Sequence, residues 1–155
     1  MIALLFTGCT HNPFAPKLGN GQSGLWSDQK TIGGLLTNFV NSYVYRDSTR
    51  YADCLSESFL FMYYDPDNGR FDQWYRQTDL QTTGALLRTY EDIRLTFGNL
   101  PPELTNFNKP DTVVSFQVSF NLELGGQLPV FGFAMFDARQ ESDGKFRLVE
   151  WRDDF

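Results

Sequence analysis

Apolar residues recur at three- and four-residue intervals from Thr31 onward, at Leu35, Leu36, Phe39, Val40, Tyr43 and Val44. That spacing predicts an amphipathic helix up to about Arg46. Asp47-Ser48-Thr49 then reads as a break and a new N-cap. A second short helix is expected over Thr49–Ser58, burying Tyr51, Leu55 and Cys54. The run Phe59–Tyr64, closed by Asp65-Pro66-Asp67-Asn68-Gly69, predicts a strand and its exit turn. Helical spacing returns over Phe71–Tyr90, with Trp74, Leu80, Leu86 and Leu87 as apolar anchors.

The second half changes period from 3.6 to 2. Ile93, Leu95 and Phe97 alternate with Arg94 and Thr96. Over Val113–Leu124 the set Val114, Phe116, Val118, Phe120, Leu122 and Leu124 takes one face. Ser115, Gln117, Ser119, Asn121 and Glu123 take the other. This is a strand buried on one side and polar on the other. Gly125-Gly126-Gln127 forms the next turn, and Val130–Ala138 with Lys145–Arg152 forms a hairpin around Glu141-Ser142-Asp143-Gly144. A four-residue loop would set Ala134 and Phe136 beside Trp151 and Val149 on the core face. Phe131, Phe133 and Met135 would then face outward with Leu148, Glu150 and Arg152. A slip of one residue exchanges those faces. Both faces carry large apolar groups, so a cover is expected on the second: a second copy, a protein partner, or the N-terminal segment with Phe14, Leu25 and Trp26.

The helices followed by antiparallel strands make an α+β pattern. It resembles the nuclear-transport-factor-2-like superfamily. Two stretches carry the resemblance: Phe39-x-x-x-Tyr43-x-x-x-Asp47-x-x-x-Tyr51-x-x-x-Leu55-x-x-x-Phe59 with Phe61-Met62-Tyr63 after it, and the closing Asp143-Gly144-Lys145-Phe146-Arg147-Leu148-Val149-Glu150-Trp151-Arg152-Asp153. Trp74-Tyr75-Arg76-Gln77 to Leu87 is compatible with the family's third helix. The resemblance implies a cone over residues 31–155, with three N-terminal helices packed on a strongly curved antiparallel sheet. It also implies a cavity at the cone's mouth, which some members use for catalysis and many only for binding. Fold alone therefore does not decide function.

The N-terminus adds an address. Leu4-Leu5-Phe6-Thr7-Gly8-Cys9 looks like the tail of a bacterial lipoprotein signal peptide, in which the cysteine is lipidated. Residues 1–8 are then a signal remnant without its basic region, and residues 9–30 a tether rich in Gly, Pro, Asn, Ser and Gln. About twenty flexible residues span on the order of 25 Å, enough to lift a domain off a bilayer. The expectation is a membrane-anchored lipoprotein, periplasmic or otherwise extracytoplasmic.

Composition narrows the chemistry. The 155 residues are 41% hydrophobic and 21% charged, as expected for one domain with a core. Fifteen Phe and seven Tyr suggest a deep core or a ring-lined pocket. A net charge of −6 without a basic cluster argues against nucleic acid. Of the 2 cysteines, a lipidated Cys9 leaves Cys54 unpaired, with a small buried hydrophobe as its default role. The one histidine, His11, lies in the tether, so no metal set and no cofactor is expected.

A dehydratase of this superfamily relies on a pocket histidine, which residues 31–155 lack. An isomerase- or cyclase-like reading needs a Tyr beside buried carboxylates, with Tyr43 or Tyr63 and Asp137 or Glu123 as candidates. Each also has a structural reading: Tyr43 on a core stripe, Glu123 on a polar strand face, Asp137 paired with Arg152 or Arg147. Asp47 suits a helix cap. Ser56 and Ser58 lack a histidine to activate them, and Cys54 lacks a basic neighbour. The expectation is a binding or scaffolding module with no catalytic residue. Its pocket walls would come from Tyr43, Phe61, Tyr63, Trp74, Phe116, Phe136 and Trp151, and its ligand would be small and largely apolar.

Overall fold

The computed structural model describes residues 24–126 and 129–154. Helix α1 (Ile32–Val44) starts where the Thr31 hydroxyl accepts from the Gly34 amide at 3.0 Å. It buries Ile32, Leu35, Leu36, Phe39 and Tyr43 along one stripe. Arg46, at a left-handed φ of 56°, turns the chain, and Asp47 caps α2 (Ser48–Asp53) by accepting from the Arg50 amide. The second helix thus ends at Asp53, earlier than its spacing suggests. Leu55–Ser58 belong to strand β1 (Leu55–Asp65), which places both Leu55 and Phe59 in the core.

A second correction follows directly. Asp65 accepts from the amides of Asp67 and Asn68, Gly69 takes φ 62°, and the chain returns as strand β2 (Arg70–Tyr75). The helix expected from Phe71 begins only at Arg76, as α3 (Arg76–Thr89). Pairing decides the matter: Phe61 opposes Trp74, and their rings stack at 4.7 Å. Local spacing cannot register a partner strand that supplies both hydrogen bonds and a ring contact.

Strands β3 (Ile93–Phe97), β4 (Val113–Leu124), β5 (Val130–Gln140) and β6 (Phe146–Asp154) complete the sheet, with a four-residue turn of helix α4 (Pro102–Thr105) between β3 and β4. The strand order is β2-β1-β6-β5-β4-β3, antiparallel at every pair except β1·β6, which is parallel. Helices α1 and α3 lie over one face, giving the α+β cone expected for the chain.

The β5–β6 register departs from the expected one along its whole length: Trp151 lies opposite Phe136 rather than Ala134, and Asp153 lies opposite Ala134. Phe136 opposes Trp151 and Asp137 opposes Glu150, but Ala138 opposes Leu148, so Val149 is an extra residue on β6. This bulge reverses the alternation. Leu148 and Phe146 turn into the core and are fully buried, whereas Val149 is only half-buried. Phe131 and Phe133 do face outward, 74% and 52% exposed.

The N-terminal boundary also moves. Gln29 is 1% exposed, and its side-chain amide donates to the carbonyls of Asp53 and Phe146. The Ser27 amide donates to Asn38 Oδ1. The packed domain therefore includes residues expected in the tether.

Candidate functional site

The open end of the cone holds a small pocket of about 100 Å³. Helix α1 contributes Phe39 and Tyr43, β3 contributes Leu95 and Phe97, β4 Phe120 and Leu122, β5 Val130, and β6 Trp151 and Asp153. Alternation along β6 puts Trp151 and Asp153 on the same face, and Ala134 opposite Asp153 leaves room for the carboxylate. The walls touch one another: Phe39 meets Tyr43 at 5.4 Å, Phe97 at 5.8 Å and Trp151 at 5.7 Å between ring centroids.

Asp153 is the polar feature of this pocket. It is 7% exposed, and the Trp151 indole N–H donates to its Oδ1 at 2.8 Å. Burial pushes its pKa up to about 6, and the indole hydrogen bond only partly offsets that. Among the described residues, its Oδ2 has no hydrogen-bond or ion-pair partner.

A second buried acid lies behind Tyr43. Tyr51 donates to Asp79 Oδ2 at 2.6 Å, and the Trp74 indole donates to Oδ1 at 3.1 Å. Burial raises the Asp79 pKa against both hydrogen bonds. Tyr43 connects the two acids. Burial above all, with the charges of Asp79 and Asp153 adding to it, drives its pKa well above the tyrosine range.

Of the rings expected to line a pocket, Tyr43 and Trp151 do so. Phe61, Tyr63 and Trp74 stack together where β1 meets β2, with Phe61 also edge-on to Trp151 at 5.0 Å. Phe136 packs against Trp151 at 5.4 Å, and Phe116 against Phe136 at 5.7 Å. These five rings pack behind the pocket or beside it.

The carboxylates considered from sequence lie elsewhere. Asp137 opposes Ser115 and Glu150, and its Oδ1 is buried without a hydrogen-bond partner. Glu123 accepts a long hydrogen bond from Asn121 at 3.4 Å. Neither lines the mouth pocket. Asp79 and Asp153 took their place, and each had a weak signal. Asp79, Thr83 and Leu87 fall at four-residue spacing on α3, and Asp153 lies two residues from Trp151 on an alternating strand. Asp47 is a helix cap. Among the described residues, the Ser56 hydroxyl hydrogen-bonds only with the Ser58 hydroxyl and amide. Cys54 is fully buried, and burial, then the Asp53 charge, pushes its thiol up to about 12. Cys9 and His11 lie outside the described residues.

A larger concavity, about 680 Å³, is a groove on the outside of the cone between α2 and the β5–β6 turn. Arg147 dominates it. Its guanidinium donates to the Asp53 carbonyl, to Asp53 Oδ1 at 2.9 Å, to Glu141 at 2.9 Å and to Asp143 at 2.8 Å. Lys145 closes on the other Asp53 oxygen. The charges of Arg147, Lys145, Asp53, Glu141 and Asp143 are spent on one another and clasp α2 to the hairpin, while Arg50 lies over the Trp26 ring.

No protein-family model matches the chain. No curated protein is similar enough to count as a relative. Solved structures share the architecture. A protein of unknown function from Mycobacterium tuberculosis, Rv3472, superposes with a TM-score of 0.60 at 16% identity, over 79% of this chain and 68% of that one. A cystatin-like protein of unknown function from Nostoc punctiforme gives 0.57 at 16% identity, over 81% and 89%. A nuclear-transport-factor-2-like protein of unknown function from Shewanella baltica gives 0.53 at 11%, over 79% and 89%. The likeness is one of fold, and the fold is nuclear-transport-factor-2-like.

Proposed function

We propose that this chain is a small-molecule-binding module, using the pocket at the mouth of its cone and held at a membrane through a lipid on Cys9. The pocket itself carries the reading: apolar walls from five elements converge on one buried acid, a pattern typical of ligand sites. The anchor rests on the Leu4–Cys9 sequence. Among the described residues, no helix is long and apolar enough to cross a membrane. The exposed Phe131 and Phe133 support a second copy or a protein partner on the outer sheet face.

Capture of envelope metabolites on the purified domain, followed by mass spectrometry, tests the binding reading. A Leu122→Trp variant, which fills the pocket, should lose whatever the parent retains. Equal retention by both proteins would move the ligand elsewhere. Mass spectrometry of the mature N-terminus tests the anchor, with an acylated Cys9 as the expected product.

One observation favours catalysis as a second reading. An acid near pKa 6 in an apolar pocket is suited to proton transfer near neutral pH. Among the described residues, however, the hydrogen bond on Asp153 comes from the Trp151 indole, and no tyrosine hydroxyl joins it as the Tyr–carboxylate pair of that reading requires. Binding is therefore favoured. Loss of α-deuterium exchange from small ketones on Asp153→Asn would reverse that preference.

A further inference from the structure

Asp153 enters the pocket as an acid that lacks a counter-charge. Its Oδ1 takes one indole N–H at 2.8 Å. Among the described residues no hydrogen bond or ion pair joins its Oδ2, which keeps some contact with solvent, and no cation lines the pocket. A buried carboxylate in that state is costly unless a donor or a cation joins it. The surrounding walls include the aromatic rings of Phe39, Tyr43, Phe97 and Trp151. Ring faces carry negative electrostatic potential and attract cations within about 6 Å of the centroid, most strongly when the cation is desolvated. Acid and rings therefore ask for the same kind of guest.

We propose that the mouth pocket recognises a small organic ammonium group, with the aromatic rings packed around the cation and Asp153 as its counter-charge. This rests on the reading of the pocket as a ligand site. Size agrees with it. About 100 Å³ is less than the roughly 150 Å³ of a cavity that holds benzene, so an alkylammonium head fits while its substituent leaves through the mouth. Neutral acceptors such as carbonyls fit less well, because they need Asp153 protonated to donate. The chain's net charge of −6 also favours cation approach.

Binding of an ammonium should strengthen as Asp153 ionises. From α1 the titratable group facing it is Tyr43, which stays neutral over the whole range. From β3, β4 and β5 the facing side chains are apolar. On β6 itself, Arg152 is paired with Glu150 at 2.9 Å and falls on the opposite face of the strand. Asp79 of α3 lies behind Tyr43.

The probes are choline and its uncharged isostere 3,3-dimethylbutan-1-ol, titrated by calorimetry into the full chain and into Asp153→Asn. Choline should bind at least tenfold more tightly than the alcohol, tighten between pH 5 and pH 7, and lose that advantage in Asp153→Asn. The alcohol should bind both proteins alike, which also shows that the variant is folded. Phosphatidylcholine vesicles competed off by choline would assign the ammonium to a lipid headgroup. Choline binding without vesicle capture would assign it to a free amine. Equal affinity for choline and the alcohol overturns the ammonium proposal and leaves the pocket reading standing. Binding of neither probe overturns the ammonium proposal and counts against the pocket reading as well.

Discussion

Gln29 and Phe146, 117 residues apart, hold each other by two hydrogen bonds: the Phe146 amide donates to the Gln29 carbonyl, and the Gln29 side-chain amide donates to the Phe146 carbonyl. The same side chain reaches the Asp53 carbonyl and accepts from Asn38 at 2.8 Å. One residue thus joins the N-terminal segment, α1, the end of α2 and the start of β6. It does so at a left-handed φ of 62°, a conformation that non-glycine residues rarely adopt and that these bonds enforce.

Gln29→Ala removes three side-chain hydrogen bonds, to the Asp53 and Phe146 carbonyls and from Asn38, while Asp53 keeps Arg147 and Asn38 keeps the Ser27 carbonyl. Each contributes about 0.5–1.5 kcal/mol net, so the expected loss is about 3 kcal/mol. Urea unfolding measures it. A loss below about 1 kcal/mol would mean that the segment around Gln29 does not stay docked.

Tyr51→Phe removes the donor at 2.6 Å from Asp79 and leaves the carboxylate with Trp74 alone. The destabilisation should be about 2 kcal/mol at neutral pH, because the charge is then buried with one hydrogen bond fewer. At pH 4 the penalty should shrink. The Asp79 pKa is already raised, and a protonated acid tolerates burial better. Paired unfolding curves at the two pH values test the difference.

Asp153 links stability to pH in the same sense. Its pKa of about 6 in the folded state exceeds the usual carboxylate value, so the folded protein holds the proton more tightly than the unfolded chain. The resulting stability is complete below about pH 4 and is lost as pH rises through about 6. Asp153→Asn removes that decline. It should raise stability at pH 7.5 by on the order of 1 kcal/mol after allowance for solvent screening. Thermal melts across pH 4–8 show whether the variant's curve is flatter.

Arg147→Met should cost about 2 kcal/mol, between the values for exposed and buried ion pairs, since Asp53, Glu141 and Asp143 then face one another without the guanidinium. The pH dependence here has the opposite sign. Arg147 holds the Asp143 pKa down at about 2. Burial pushes Asp53 up, but hydrogen bonds from Lys145 and Arg147 outweigh it and hold it low. That stability is present above about pH 4 and lost as pH falls through about 2. Arg147→Met should therefore show a shallower acid limb in the same melts.

Cys54 should resist alkylation in the folded protein. The thiolate is the reactive form, and a buried thiol with a pKa of about 12 supplies almost none of it at pH 8. Iodoacetamide labelling followed by mass spectrometry should give no adduct at Cys54 until denaturant is added. Rapid native labelling would show that α2 opens locally.

Local periodicity made much of the architecture legible. The stripe Leu35, Leu36, Phe39 and Tyr43 needs only 3.6 residues per turn, and Val114, Phe116, Val118 and Phe120 need only alternation. Both patterns arise within one element, and both elements formed where the pattern placed them. Residues 71–75 are the instructive failure. Their side chains fit a helix as well as a strand, and only the neighbouring β1 supplies the hydrogen bonds that decide.

The site follows the same division. Aromatic content by itself pointed to a deep core or a ring-lined pocket, and the family resemblance supplied the cone. Which of the rings border a cavity and which fill the core behind it depends on contacts across the sheet. Those contacts left Tyr43 and Trp151 at the mouth and stacked Phe61 on Trp74. The extra residue Val149 turns Leu148 inward, and no periodicity announces such a bulge. Asp79 and Asp153 look like ordinary surface acids along the chain. Only the packing of α3 and the closing strand against the core removed water from them, and desolvation by distant residues is a property that no local run of sequence carries.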